Sequence, residues 1–96
     1  MQNFPDIARR KAGFQLDRVQ RGLAPEDWKP MASVGAGVRE IRIREASGAF
    51  RLIYVAAFAE AVFVLHVFQK KTQRTAARDL DLAAARYKEI ARSMNK

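Results

Sequence analysis

Between Val38 and Lys71 the chain reads VREIRIREASGAFRLIYVAAFAEAVFVLHVFQKK, and this stretch constrains the fold more than any other. In VREIRIRE apolar and charged residues alternate. Ile41 and Ile43 fall on one face and Glu40, Arg42 and Arg44 on the other, the pattern of a half-exposed strand. Ser47-Gly48 supplies a turn. AFRLIYVAAF and AVFVLHVF follow, rich in β-branched and aromatic residues and separated only by Ala59-Glu60, which predicts an antiparallel hairpin. Both runs are almost continuously apolar, so both strands are expected in the middle of the sheet with something packed on each face. Arg51 stands out against that background, because a guanidinium on such a strand needs a partner or a solvated groove.

Upstream, Pro5 suits a first helical turn, and Ile7, Ala12, Leu16, Val19 and Leu23 recur at spacings that predict an amphipathic helix from Pro5 to Arg21. Gly22 is placed to end it, and Pro25-Glu26-Asp27-Trp28-Lys29-Pro30 cannot continue it, so a loop pinned by Trp28 is expected there. Gly35 and Gly37 lack the Lys-Ser/Thr pair of a phosphate loop and read as a turn into the sheet. Downstream of the basic run Lys70-Lys71-Thr72-Gln73-Arg74, Thr75 is expected to cap a last helix. Its apolar stripe is Leu80, Ala83, Tyr87, Ile90 and Met94, with Arg78, Arg86 and Lys88 on the other face. A chain of 96 residues without repeats or linker has room for one domain, residues 1–96. The expected class is α+β, a small antiparallel sheet of three strands braced by an N-terminal and a C-terminal helix.

The absence of cysteine rules out a disulfide or a thiolate metal site and suits a reducing cytoplasm. No apolar run approaches membrane-spanning length, and the opening MQNFPDIARRK lacks the long apolar segment of a signal peptide, so a soluble, cytoplasmic protein is expected. A formal net charge of +8 creates a field that attracts polyanions, nucleic acid or an acidic protein partner.

A lone His66 and scattered carboxylates offer no recognisable metal-ligand cluster, and Ser33, Ser47 and Ser93 stand in no nucleophile motif. No metal and no cofactor is therefore implied. RNA scission by the substrate's own 2′-hydroxyl needs neither. It needs a base, cations for the charge that builds on the phosphate, and an acid for the leaving 5′-oxygen. Arg51 has the fork geometry to clamp a phosphate, Lys70 and Lys71 add charge, His66 is of the type that transfers protons, and Tyr54 and Phe68 offer rings for stacking. Plainer readings stand beside these. His66, among Val64, Leu65 and Val67, reads as readily as a hydrogen-bonded structural residue. Tyr54, Phe68 and Tyr87 have the apolar neighbours of core residues, and Lys70, Lys71 and Arg74 fit a solvated charge run. Arg42 has Glu40 and Glu45 near it to pair with, and for Arg51 a structural ion pair is open.

The ordered set GVREIRI, FRLIY and VLHVFQKKTQRT, then a helix with LAAARY and preceded by LDRVQRGLAPEDWKPM, resembles the phage-derived branch of the RelE/HigB-like toxin family from Phe4 to Ile90. The resemblance implies a RelE-like fold and the toxin of a type II toxin–antitoxin system, a ribosome-dependent mRNA endonuclease held inactive by a cognate helix-turn-helix antitoxin. The site residues it implies, together with the reading above, are Arg51, Lys70, Lys71, His66 and Tyr54 for catalysis. Arg42, Arg44, Arg74, Arg86 and Phe68 are implied for RNA binding. Family members usually carry a leading, often strand-forming segment before the Phe-Pro pair, which here comes at Phe4-Pro5, so the sheet is expected to lack an edge strand. The alternatives are a noncatalytic RNA- or DNA-binding module and a degenerate toxin acting as an interaction subunit.

Overall fold

The computed structural model describes residues 4–58, 61–71 and 75–94. In chain order the elements are helix α1 (Asp6–Gln20), strands β1 (Trp28–Pro30), β2 (Val38–Glu45), β3 (Gly48–Phe58) and β4 (Ala61–Lys70), and helix α2 (Ala77–Met94). The strands form one antiparallel sheet in the order β1-β2-β3-β4. This is an α+β fold with a helix at each end, an arrangement consistent with the RelE-like one.

Several expectations are corrected. The stretch around Trp28 is not a loop but the short strand β1, which pairs Trp28 with Ile41 and Pro30 with Arg39. Pro30 is tolerated because this is a sheet edge, where its missing N–H costs no ladder bond. β4, expected in the middle, is the other edge, and β3 alone of the two apolar strands is central. Thr75 does not cap α2; its hydroxyl donates to Glu40 Oε2 at 3.3 Å.

α1 closes as its sequence requires. Gly22 takes φ +82°, its N–H donates to Val19 O (3.0 Å) and Leu23 N–H reaches back to Arg18 O (2.9 Å), the paired bonds of a Schellman cap. Its buried face is Ala8, Ala12 and Gln15 with Leu16 and Val19 beside them, whereas Ile7 and Leu23, expected in the stripe, are more than half exposed. Gln15 is buried because it holds the next segment: Nε2 donates to Glu26 Oε1 (2.7 Å) and Glu26 N–H donates to Gln15 Oε1 (2.8 Å).

Each face of the sheet has its own core. On the α1 side Ile41, Ile43, Phe50, Leu52 and Tyr54 pack with Phe4, Ala8 and Ala12. On the α2 side Val38, Ile53, Val55 and Leu65 pack with Met31, Val34 and Ala83, flanked by Leu80, Tyr87 and Ile90 of α2. Gly35 permits this second core, since a Cβ there would lie 2.5 Å from the Tyr87 ring.

Candidate functional site

Strand alternation puts Glu40, Arg42 and Arg44 of β2 on the α2 side of the sheet together with Ala49 and Arg51 of β3, because Val38, Ile53 and Val55 of the same rows belong to that core. The register pairs Arg42 directly with Arg51, and Arg51 in turn with Phe68; one row further, Arg44 pairs with Ala49 and Ala49 with Lys70. Arg42, Arg44, Arg51 and Lys70 therefore form a basic floor beside the apolar core that α2 covers.

A carboxylate lies beneath it. Glu40 was expected on an exposed strand face, and the structure corrects this: it is fully buried, as Arg51 nearly is at 5 % exposure. Glu40 Oε1 lies 3.6 Å from Arg51 Nε and 3.9 Å from Lys29 Nζ. Neither Glu40 Oε1 nor Arg51 Nε makes a hydrogen bond, so the attraction is coulombic, without the bidentate geometry that makes arginine–carboxylate pairs strong. Arg51 Nη1 donates to its neighbour's carbonyl, Phe50 O, at 3.1 Å. Burial pulls the guanidinium's pKa below its usual value, Glu40 raises it, and Arg42 and Arg44 lower it further. Lys70 is lowered as well, first by desolvation and then by Arg51. That places Lys70 within electrostatic reach of the arginine.

Arg42 bridges the floor to the strand edge: its N–H donates to Asp27 O (2.8 Å), and its Nη1 lies 3.8 Å from Asp27 Oδ1. Lys71, just beyond β4, is exposed, as is Arg44. Arg74 falls outside the described residues.

His66 and Arg86 are placed differently. β4 carries one extra residue opposite the Ile53–Tyr54 step, so Leu65 and His66 both turn toward α2. There His66 Nε2 meets Asp79 Oδ1 at 2.8 Å and its Nδ1 lies 3.5 Å from Arg86 Nη1, which itself donates to Leu65 O at 2.7 Å. Phe68 stacks on the imidazole with centroids 5.3 Å apart. His66, Arg86 and Asp79 thus tie the bulge to α2. Tyr54 lies on the opposite side of the sheet, 1 % exposed in the α1 core, and the fold keeps it apart from Arg51.

The structure brings together Arg42, Arg44, Arg51 and Lys70, with Phe68 adjoining. Sequence reasoning missed Glu40 and Lys29 as parts of this site. The signal for Glu40 was present: it is the one acid between Arg39 and Arg44, on the strand that had to supply a counter-charge for a mid-strand arginine. Among the described residues no cluster of metal-ligating side chains occurs, and no helix is long and apolar enough to cross a membrane.

Arg51 is thus buried among further cations, with Arg42 opposite it and Lys70 within electrostatic reach. The family model described as phage derived protein Gp49-like (DUF891) matches residues 1–88, and the chain belongs to that family. Neither the curated proteins nor the solved structures contain a significant match.

Proposed function

We propose that this protein is the toxin of a type II toxin–antitoxin pair, an endonuclease that cuts mRNA on the translating ribosome and is restrained by a cognate helix-turn-helix antitoxin. The Gp49-like family is associated with the toxins of toxin–antitoxin systems, which supports the toxin class. The observation that carries the chemistry is Arg51, held in β3 opposite Arg42, with Lys70 close enough for the arginine's charge to lower the lysine's pKa.

In this reading the 2′-oxygen attacks the scissile phosphorus, forming a 2′,3′-cyclic phosphate as the bond to the 5′-oxygen breaks. Arg42 and Lys70, more open than Arg51, meet the phosphate first, and Arg51 stabilises the added charge of the pentacoordinate state. Lys70, whose ammonium gives up its proton more readily than an ordinary lysine, protonates the leaving 5′-oxygen. The proton of the 2′-hydroxyl passes to solvent as the new bond to phosphorus forms.

The burial of Arg51 against Glu40 favours a second reading, a noncatalytic nucleic-acid-binding module in which the arginine is structural. Primer extension on a message in a reconstituted translation system separates the two. The toxin reading expects cleavage only where ribosomes are translating, lost with Lys70→Ala and with Arg51→Lys. Equal cleavage of naked RNA, or none with ribosomes present, overturns ribosome-dependent cleavage.

A further inference from the structure

β1 stops pairing at Trp28, opposite Ile41, so among the described residues β2 has no strand on its β1 side beside Ile43, Arg44 and Glu45, which pair only with β3. A groove of about 520 Å³ opens there between α1 and the bare strand. Into it reach Arg10, Lys11 and Phe14 of α1 and Arg42, Ile43 and Arg44 of β2. Its volume falls in the range of small-ligand sites, roughly 300–1,000 Å³. At a free edge, side chains of both faces border the same space. Ile43 belongs to the α1 side, while Arg42 and Arg44 belong to the basic floor around Arg51. The groove is therefore continuous with the candidate site.

We infer that this groove is a second nucleotide subsite, which holds single-stranded RNA flanking the phosphate at Arg51. The inference rests on the RNA reading above but not on cleavage. Phe14 is 55 % exposed although it is a large aromatic residue, and cations stand on either side of it. A ring left in water amid basic side chains is what a base-stacking platform requires. The carboxylates that reach the groove are already engaged, Glu26 by Gln15 (2.7 Å) and Asp27 by Arg42 (3.8 Å), which leaves Arg10, Lys11 and Arg44 to face an anion. Lys11 Nζ also donates to Arg44 O at 2.7 Å, blocking an edge acceptor that an added protein strand would need. That contact favours a nucleic acid over a β-augmenting protein as occupant.

The test is binding of fluorescent, uncleavable 2′-O-methyl single-stranded RNA of two lengths, about four and about ten nucleotides, by anisotropy across a salt series. Phe14→Ala is expected to weaken the longer RNA about tenfold without changing its salt slope, to leave the shorter RNA unaffected, and to be rescued by Phe14→Tyr. Arg10→Gln with Lys11→Gln is expected to reduce the salt slope for the longer RNA by about one to two. Equal effects on both lengths, or parental affinity for the longer RNA, would overturn the subsite. So would parental RNA affinity combined with loss of binding to a co-expressed antitoxin, which would assign the groove to a protein. Absence of ribosome-dependent cleavage, with the length-dependent Phe14 effect intact, would remove the endonuclease reading and leave the subsite standing.

Discussion

The two faces of the sheet are made by the same strands, yet they are put to different uses. Toward α1 every central position is apolar and closed: Ile41, Ile43, Phe50 and Leu52 are at most 3 % exposed. Toward α2 the apolar residues Val38, Ile53, Val55 and Leu65 share the face with Glu40, Arg42 and Arg51. Burying apolar surface returns about 25 cal/mol for each Å², whereas burying a charge costs free energy even when it is paired. One face is closed by apolar packing, and the other holds desolvated cations beside an apolar core of its own.

The sharpest way to break this contrast is a matched pair of truncations on adjacent residues. Phe50→Ala empties the α1 face, where Phe50 is 1 % exposed and packs against Phe4 with ring centroids 4.8 Å apart. The expected cost is about 3–5 kcal/mol in urea unfolding, out of a typical total of about 5–15 kcal/mol, with RNA affinity per folded molecule unchanged. Arg51→Ala acts on the other face and leaves Glu40 buried with Lys29 and Thr75 as its partners among the described residues. A loss of about 3 kcal/mol is expected, and cleavage should fall by about two orders of magnitude. Adding Glu40→Gln to Arg51→Ala should restore most of the stability and none of the cleavage. If cleavage returned with stability, Arg51 would be structural and the difference between the faces would be one of packing alone.

The α1 face was legible in the sequence because periodicity reports burial directly: Ile41 and Ile43 alternate as a strand face must, and Gly22 marks a helix end. The α2 face was less legible for physical reasons. Glu40 carries the polarity of a surface residue, and only its cross-strand relation to Arg51, set by register, explains its burial. Ile7 shows the converse, an apolar residue at helical spacing that the docking angle of α1 turns outward. His66 lies on the α2 side beside Leu65 because of a bulge, and alternation cannot foresee an extra residue in a strand. β1 was hidden by its brevity and its proline. Arg51 and Lys70 were recognisable as candidates, but their proximity depends on the β3–β4 pairing and not on any spacing along the chain.

A smaller effect separates the two parts of the α2 face. His66 bonded to Asp79 at the start of α2 belongs to the helix junction and not to the basic floor. Asp79→Ala should cost about 1–2 kcal/mol, from one hydrogen bond and a favourable charge in the first helical turn. The melting temperature should fall while RNA affinity and its salt slope hold. A variant of parental stability that cleaves poorly would instead place His66 in proton transfer.

The smallest effect is read as a pH dependence, and it sharpens the contrast because the packed α1 face should lack it. Lys70 sits at the end of β4 with its pKa lowered from 10.5, by desolvation first and by the Arg51 charge second. A lowered folded pKa means that the charged form is the disfavoured one in the native state. Below the lowered folded value Lys70 is protonated both folded and unfolded and contributes a constant destabilisation. Between the lowered folded value and the ordinary 10.5 the unfolded chain binds more protons, so stability contributed by this residue rises with pH across that window. Lys70→Gln removes the charge in both states. The variant should therefore unfold at higher urea than the parent at neutral pH, and its advantage should shrink as pH climbs toward 10.5. Leu52→Ala, on the other face, should shift the urea midpoint by the same amount at every pH of the series. Parallel parent and Lys70→Gln curves would mean that Lys70 feels neither burial nor Arg51, and its role as proton donor would go with them.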